Sequence, residues 1–437
     1  MATNRDVLKF DIILFITTIA LMVIGIFFIY SSGVNSAGIS VSNEWIKQII
    51  WVISSIVIII LFTIYDYAKF KLISFYIYIV MVLLLIFTLI FGNYVNGARS
   101  WLGIGPFGIQ PGEFSKIALI LYLGSFLDDN YKTIFTLKKF IQAIVIIAIP
   151  MLLILVQPDF GSAIVNVPIF LVMMFLAGAR IKHLIYLIIT GSLIIYLTAL
   201  PAWSEYIARE EVLIINVLTQ WATLKYVIAA LILIILLSAA GLRFFKASYY
   251  YWIIYFTSSF TLALVGSIGG RLVLKGYQIM RLIIFIDPQV DPQGAGWNMI
   301  QSITAVGAGG IWGRGYLQGT QSHLQYLPQQ NSDFIFSIFS EEAGFVGAII
   351  VFALYILLLV RSLIVVDRAN DRYGVAVGSG IIGMIFFHVI INTGMAIGIM
   401  PITGIPLFFL SYGGSSLWTA SIGIGILLSI YQRRYRN

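Results

Sequence analysis

Asp333 ends a polar run, QYLPQQNSD, and stands directly before the apolar segment FIFSIF in a chain that is only 10% charged. A carboxylate there can accept the proton of a hydroxyl that must become a nucleophile. It can equally cap a helix beginning at Phe334, since both the aspartate side chain and the helix dipole favour that position. Glu341 and Glu342 lie two turns deeper, roughly 12–14 Å along a helix axis at about 1.5 Å per residue. Carboxylates inside a bilayer cost about 2.5–3.5 kcal/mol each, so these two must be paired, protonated or turned toward a polar cavity. A polar cavity under Asp333 is therefore expected.

Four other stretches hold groups that could do chemistry. In NGARSWLGIGPFGIQPGEFSK (96–116), Gln110, Pro111 and Gly112 break the chain before a helix that opens at Glu113, and Glu113 and Lys116 share one of its faces. They read either as a helix-start carboxylate with an intrahelical ion pair or as a buried pair that positions a loop or binds substrate. In QPDFGS (157–162), Asp159 tips a tight turn, and its spacing favours capping the next helix. Asp287 and Asp291 each precede proline and mark turns, whereas Arg281 between them and the membrane suits an anionic headgroup or pyrophosphate. In AVGAGGIWGRGYLQGTQ (305–321), glycines surround Arg314, and their backbone N–H groups could cradle phosphate oxygens; no GK[ST] follows, so this is no nucleotide P-loop.

These groups must be held by membrane helices. The chain of 437 residues is 60% hydrophobic, far above what a water-soluble core requires. Twelve segments are long and apolar enough to span, near 10–31, 46–64, 72–92, 113–127, 139–157, 162–179, 183–200, 226–242, 249–270, 334–360, 374–399 and 414–431. With the N-terminus inside, most of the 26 Lys and Arg fall on the cytoplasmic side, from Arg5 and Lys9 through Arg180, Arg243 and Arg361 to Arg433, Arg434 and Arg436. Both termini are thus expected in the cytoplasm, and the net charge of +8 is explained without nucleic acid. The stretch 271–333, rich in Gly, Pro, Asp and Gln, becomes a long extracytoplasmic loop of functional character. With no cysteine and only His183, His323 and His388, disulfides, thiolate chemistry and a histidine zinc site are excluded or disfavoured.

The motifs NGARSW, QPGEFSK, LVQPDFGSA, DPQGAGWNMIQSITAVGAGGIWGRGYLQGTQ, LPQQNSDFIFSIFSEEAGFVG and GIPLFFLSYGGSS run in one order over nearly the whole chain. In that order they resemble the SEDS family (shape, elongation, division and sporulation proteins), with GTQ at 319–321 closer to the elongation type. The resemblance implies an all-α polytopic fold of ten helices, to which 226–270 adds a pair within an inserted region 201–270, the whole chain forming a single transmembrane domain. It also implies a peptidoglycan glycosyltransferase of the bacterial cytoplasmic membrane that polymerises lipid II on the extracytoplasmic face beside a class B penicillin-binding protein. Asp333 would be the catalytic base, in direct displacement with inversion at the MurNAc anomeric carbon. Glu113, Lys116, Asp159 and Gln321 would serve substrate binding. Positive charge for the leaving pyrophosphate would come from Arg99, Lys116, Arg281, Arg314 or a divalent cation (Mg or Mn), and the substrate's lipid tail would lie between spans. Gly112, Gln329 and Ser332 depart from the family's usual Ser, Glu and Thr. A lipid II flippase, and a scaffold that only activates its penicillin-binding partner, are the competing readings.

Overall fold

The computed structural model describes residues 10–95, 97–103, 108–210, 212–294, 296–324 and 326–435. Arg5, Lys9 and Arg436 of the charge argument lie outside the described residues, as do Asn96, Ala295 and Gln325 of the motifs. The chain divides into two compact units, residues 1–179 with 298–437, and residues 180–297.

In the first unit the order is α1 (Ile12–Ser32), α2 (Glu44–Ile64), α3 (Tyr67–Phe91), a hairpin of β1 (Asn93–Val95) and β2 (Ala98–Trp101), α4 (Pro111–Asp129), α5 (Leu137–Val156), α6 (Phe160–Ile164) and α7 (Asn166–Leu176). The second unit holds α8 (Ile181–Trp203), α9 (Leu213–Thr219), α10 (Trp221–Phe245), α11 (Ser248–Val273) and α12 (Gly276–Ile286). The first resumes with α13 (Trp297–Gly309), whose first residue is counted with the second unit, then α14 (Thr320–His323), α15 (Ile335–Asp367), α16 (Arg372–Ala396) and α17 (Gly414–Gln432). Ten helices are long and apolar enough to cross a membrane among the described residues: α1, α2, α3, α5, α8, α10, α11, α15, α16 and α17. The two further spans expected from the sequence are helical but of another kind. α4 carries Glu113, Lys116, Asp128 and Asp129 and is mostly buried, and 162–179 is split into α6 and α7.

Aspartates start several of these helices. Asp11, Asp66 and Asp371 accept the N–H groups of Leu14, Ala68 and Gly374 at 3.0, 3.1 and 2.6 Å, supplying partners that the first turn lacks. The core lies around α16 and α17; α17 packs on α2, and α16 on α4, α7 and α15. Small residues bring these helices close: a Cβ at Gly425 would stand 2.6 Å from the Phe62 Cβ.

Two passages leave helical geometry inside this unit, where each unpaired backbone group costs several kcal/mol by order of magnitude. α15 is broken at Gly344 (φ +67°, ψ −166°). The segment after α13 closes the break: Arg314 and Gly315 donate to the carbonyls of Glu341 and Glu342 at 3.0 Å each, and Phe345 and Val346 donate to Gly310 and Ile311 at 2.9 and 3.1 Å. The backbones approach so closely that a Cβ at Gly313 (φ +78°) would meet the Glu342 carbonyl oxygen at 2.1 Å. The second passage is 397–413, non-helical up to its turn at 408–410, with Ile405, Leu407, Phe408, Phe409 and Leu410 buried. Side chains from several helices take its carbonyls: Gln48 reaches Ser411 at 3.4 Å, Tyr355 reaches Phe408 at 2.5 Å, His388 reaches Pro406 at 2.9 Å and Asn392 reaches Ile405 at 2.7 Å.

In the second unit the expected inserted pair forms α10 and α11, and α11 also packs on α8. Leu197, Leu200, Ile215, Leu224, Ala263 and Leu264 form its apolar core. A polar seam runs beside it, Thr190 to Ser259 at 2.8 Å and Tyr186 to Ser258 at 3.1 Å. The stretch 271–333 is not one open loop, since α12, α13 and α14 lie within it; Asp287 caps the short 3-10 turn Pro288–Val290, as the Asp-Pro pair suggested.

Gly313→Ala places a Cβ into the Glu342 carbonyl and forces a left-handed φ, so a loss of at least about 1–3 kcal/mol is expected, read as a lower unfolding midpoint in detergent. Gly307→Ala, in α13 with open space around it, is expected to leave the midpoint unchanged or slightly raised.

Candidate functional site

Asp333 is held by its backbone. The Gln329 carbonyl accepts the N–H groups of Ser332, Asp333 and Phe334 at 3.3, 3.1 and 3.4 Å, in a turn made possible by a left-handed Gln329 (φ +53°). The residues before Asp333 are fastened on three sides: Gln330 donates to the Ser32 carbonyl at 2.6 Å, Asn331 to the Glu44 carboxylate, and Tyr412 N–H to the Asn331 carbonyl at 2.8 Å. The Asn392 amide donates to the Asp333 carbonyl at 2.8 Å. The cap position of α15 belongs to Phe334, whose carbonyl takes the first helical bonds and whose side chain makes no cap bond. Asp333 therefore stands one residue outside the expected cap, half-buried, where α15 begins.

Glu113 and Lys116 form a buried pair. Lys116 Nζ lies 2.6 Å from Glu113 Oε1 and 3.1 Å from His388 Nε2, with Glu113 3% and Lys116 0% exposed. An ammonium only donates, so His388 Nε2 accepts and the ring proton sits on Nδ1, which donates to the Pro406 carbonyl. The Phe408 ring stacks on the imidazole with centroids 3.6 Å apart. Glu113 Oε2 has no partner among the described residues. The pair is at once a helix-start, intrahelical ion pair and a buried one, with the Lys116 ammonium directed to Glu113 and His388.

Asp159 caps α6 through Oδ1, which accepts the Ser162 N–H at 3.1 Å, while Oδ2 accepts the Ser162 hydroxyl at 2.9 Å and the Gln110 amide at 2.7 Å. It ties the α6 turn to the start of α4. Gly112 faces this turn, and a Cβ there would meet Ser162 at ordinary contact distance, 3.6 Å.

The glycine-rich stretch is an anion cradle, but its anion is internal. Glu341, fully buried, accepts Thr320 N–H at 2.7 Å, Gln321 N–H at 3.0 Å and the Thr320 hydroxyl at 3.0 Å through Oε1, and Ser322 N–H at 3.4 Å through Oε2. Glu342 accepts the Ser31 hydroxyl at 2.5 Å and Leu317 N–H at 3.2 Å, with His323 Nε2 3.5 Å away. The N–H groups expected to hold phosphate thus bind the chain's own carboxylates and carbonyls, which answers how two acids survive inside the unit. Burial near Glu342 pushes the Tyr316 hydroxyl up to about 12; it donates to the Phe27 carbonyl at 2.9 Å.

The arginines fall in different places. Arg99 caps the end of α3, donating to Gly92 and Leu89 carbonyls at 2.8 and 3.4 Å. Arg314 is exposed and bonds to Thr320 Oγ1 at 2.7 Å and the Ala308 carbonyl at 3.3 Å. Arg281 lies in the second unit, over the Tyr277 ring at 5.6 Å. Gln321 sits in the cradle with its amide oxygen buried and unpaired among the described residues. No three His, Asp or Glu converge on a common metal position among the described residues.

No motif marks His388 or Asn392 as a site residue in the sequence. Both are fully buried in an apolar span and four residues apart, the spacing of one helix face. A polar pair inside a membrane segment was itself the available signal.

The chain matches the cell cycle protein family FtsW/RodA/SpoVE over residues 11–211 and 206–436. It is 47% identical to peptidoglycan glycosyltransferase RodA of Treponema pallidum over 430 residues, 98% of this chain and 99% of that one. It is 33% identical to peptidoglycan glycosyltransferase MrdB of Escherichia coli over 359 residues, 82% of this chain and 78% of that one. Among solved structures it resembles a chain from work on the structural coordination of polymerization and crosslinking by a peptidoglycan synthase complex, with TM-score 0.67 and 23% identity over 98% of this chain and all of that one. The rod shape determining protein RodA of Thermus thermophilus matches with TM-score 0.61 and 22% identity, covering 98% and 99%. At those identities the structural likeness is one of fold.

Lys116→Met leaves Glu113 buried without its counter-charge and is expected to cost about 3–5 kcal/mol in an unfolding measurement in detergent. Adding Glu113→Leu to Lys116→Met should recover part of that loss; strictly additive costs would mean the two groups do not act as a pair.

Proposed function

The chain belongs to the FtsW/RodA/SpoVE family of cell cycle proteins, and from that membership we propose that it polymerises lipid II with Asp333 as general base. It is a multi-pass membrane protein and a peptidoglycan glycosyltransferase of the RodA kind. Choosing Asp333 as the base rests on one contrast. Glu113, Glu341 and Glu342 are 0–3% exposed, whereas Asp333, at the position the family resemblance marks, is partly exposed with its backbone fixed.

Chain growth joins the GlcNAc 4-hydroxyl of one lipid II to the anomeric carbon of MurNAc on another chain. The new C–O bond forms as the bond to pyrophosphate breaks. Asp333 takes the hydroxyl proton, and the lipid pyrophosphate leaves as a stable anion that needs no acid. One carboxylate therefore suffices, unlike the pair that glycoside hydrolysis requires. A single displacement inverts the anomeric carbon. The leaving charge needs cations, and Arg314 is an exposed arginine of the Asp333 unit; Arg368 and Arg372, also exposed there, fall on the side the positive-inside reading assigns to the cytoplasm. The reaction is assigned to the extracytoplasmic face, both termini to the cytoplasm, and the transpeptidase working beside it to the class B penicillin-binding proteins. The positive-inside bias of the loops supports the first two assignments.

The test is polymerisation of lipid II by purified protein with its partner. Asp333→Ala is expected to lose about 10²–10⁴ in rate while keeping the wild-type unfolding midpoint, since a positioned base contributes roughly that much. A folded Asp333→Ala that still yields a full ladder of glycan lengths would sink the assignment. Transport of lipid II across vesicles without any polymer would favour the flippase instead.

A further inference from the structure

His388 and Asn392 take no part in the reaction as described, yet Asn392 bonds to the Asp333 carbonyl and His388 to the carbonyl next to Asn392's second partner. Asn392 Nδ2 donates to the Asp333 carbonyl at 2.8 Å and to the Ile405 carbonyl at 2.7 Å, which uses both of its protons. His388, one turn earlier on the same face of α16, donates from Nδ1 to Pro406, the very next carbonyl, at 2.9 Å. Its Nε2 accepts from Lys116 at 3.1 Å, and Lys116 is in turn held by Glu113 at 2.6 Å. The ion pair of α4 and the Asp333 backbone are therefore joined through two side chains and a single peptide step.

We propose that His388 and Asn392 are positioning residues: Asn392 ties the Asp333 backbone to the Ile405–Pro406 step, and His388 locks that step to the Glu113–Lys116 pair. The inference rests on Asp333 being the base. Imidazole suits the link because it presents an acceptor to the ammonium and a donor to a carbonyl at once, and the Phe408 ring stacked on it leaves little room to rotate. Pro406 brings no N–H of its own, so His388 and Asn392 act on a stretch that no backbone ladder secures. A shift of a reacting group by about 1 Å costs on the order of 10²-fold in rate, so loss of either tie should be read in turnover.

Two substitutions of His388 separate the halves of the link. His388→Asn keeps a donor near the Nδ1 position for Pro406 and loses Lys116; His388→Gln keeps an acceptor near the Nε2 position for Lys116 and loses Pro406. Lipid II polymerisation is measured per folded molecule, with kcat and KM separated, in the full chain with its partner. His388→Gln and Asn392→Ala are expected to lower kcat by about 10–100-fold with KM within about twofold, and His388→Asn to recover part of that loss. Added to Asp333→Ala, neither should reduce the residual rate further. Asn392→Ser is the milder substitute should Asn392→Ala not fold. Wild-type kcat in all folded α16 variants, or losses confined to KM, would overturn the inference. If Asp333→Ala is itself fully active, the base assignment falls whatever the α16 variants do; if it is inactive and the α16 variants turn over normally, only the positioning role falls.

Discussion

A peptide group that leaves a helix inside an apolar layer has no water to bond with, and the first unit contains two such departures, at Gly344 and along 397–413. The polar side chains of its interior are arranged around them. Gln48, Tyr355, His388 and Asn392 come from three different helices, α2, α15 and α16, and each supplies a donor to a carbonyl of the second passage. The break at Gly344 is closed by backbone alone, with 309–315 exchanging hydrogen bonds across it. Irregular backbone at this depth is thus tolerated because it is surrounded by protein that bonds to it.

The same constraint decides the fate of the internal charges. Glu341 and Glu342 follow α15 inward to its break, where N–H groups of the 317–322 segment are available; each side chain accepts from them without facing solvent. Lys116 is held between Glu113 and His388 in the same manner. A buried ion pair contributes little net stability over well-packed apolar residues, because desolvation offsets the attraction. What it does contribute is definition of place, since removing either partner strands the other. In this unit the definition is passed on, through His388, to the passage that lies beside Asp333.

Much of this was legible in the sequence, because hydropathy reports helices and short polar motifs report their ends. The long spans, the shared face of Glu113 and Lys116, the Asp159 cap and the Asp287 turn all follow from local patterns. The glycine-rich stretch was legible as a cradle but not as one already filled, because its anion, Glu341, lies twenty residues away and reaches it only through the break at Gly344. His388 and Asn392 were missed for a related reason. Two of their three carbonyl partners lie in GIPLFFL, which composition presents as one more apolar run, and only Pro406 and the nearby Pro401 hint that it cannot be helical. Side chains announce their chemistry in sequence; the backbone groups they must satisfy do not.

The structure moves Asp333 off the cap position that the sequence suggested for it. An aspartate at a helix cap is stabilised as an anion by the first-turn N–H groups and the helix dipole, which weakens it as a proton acceptor. The cap position is instead filled by Phe334, fully packed in the core, and Asp333 is displaced by one residue onto the polar turn that Gln329 closes. Its peptide is anchored through the Gln329 carbonyl on one side and the Asn392 amide on the other. The base proposed here needs a fixed position, and these two main-chain bonds supply one.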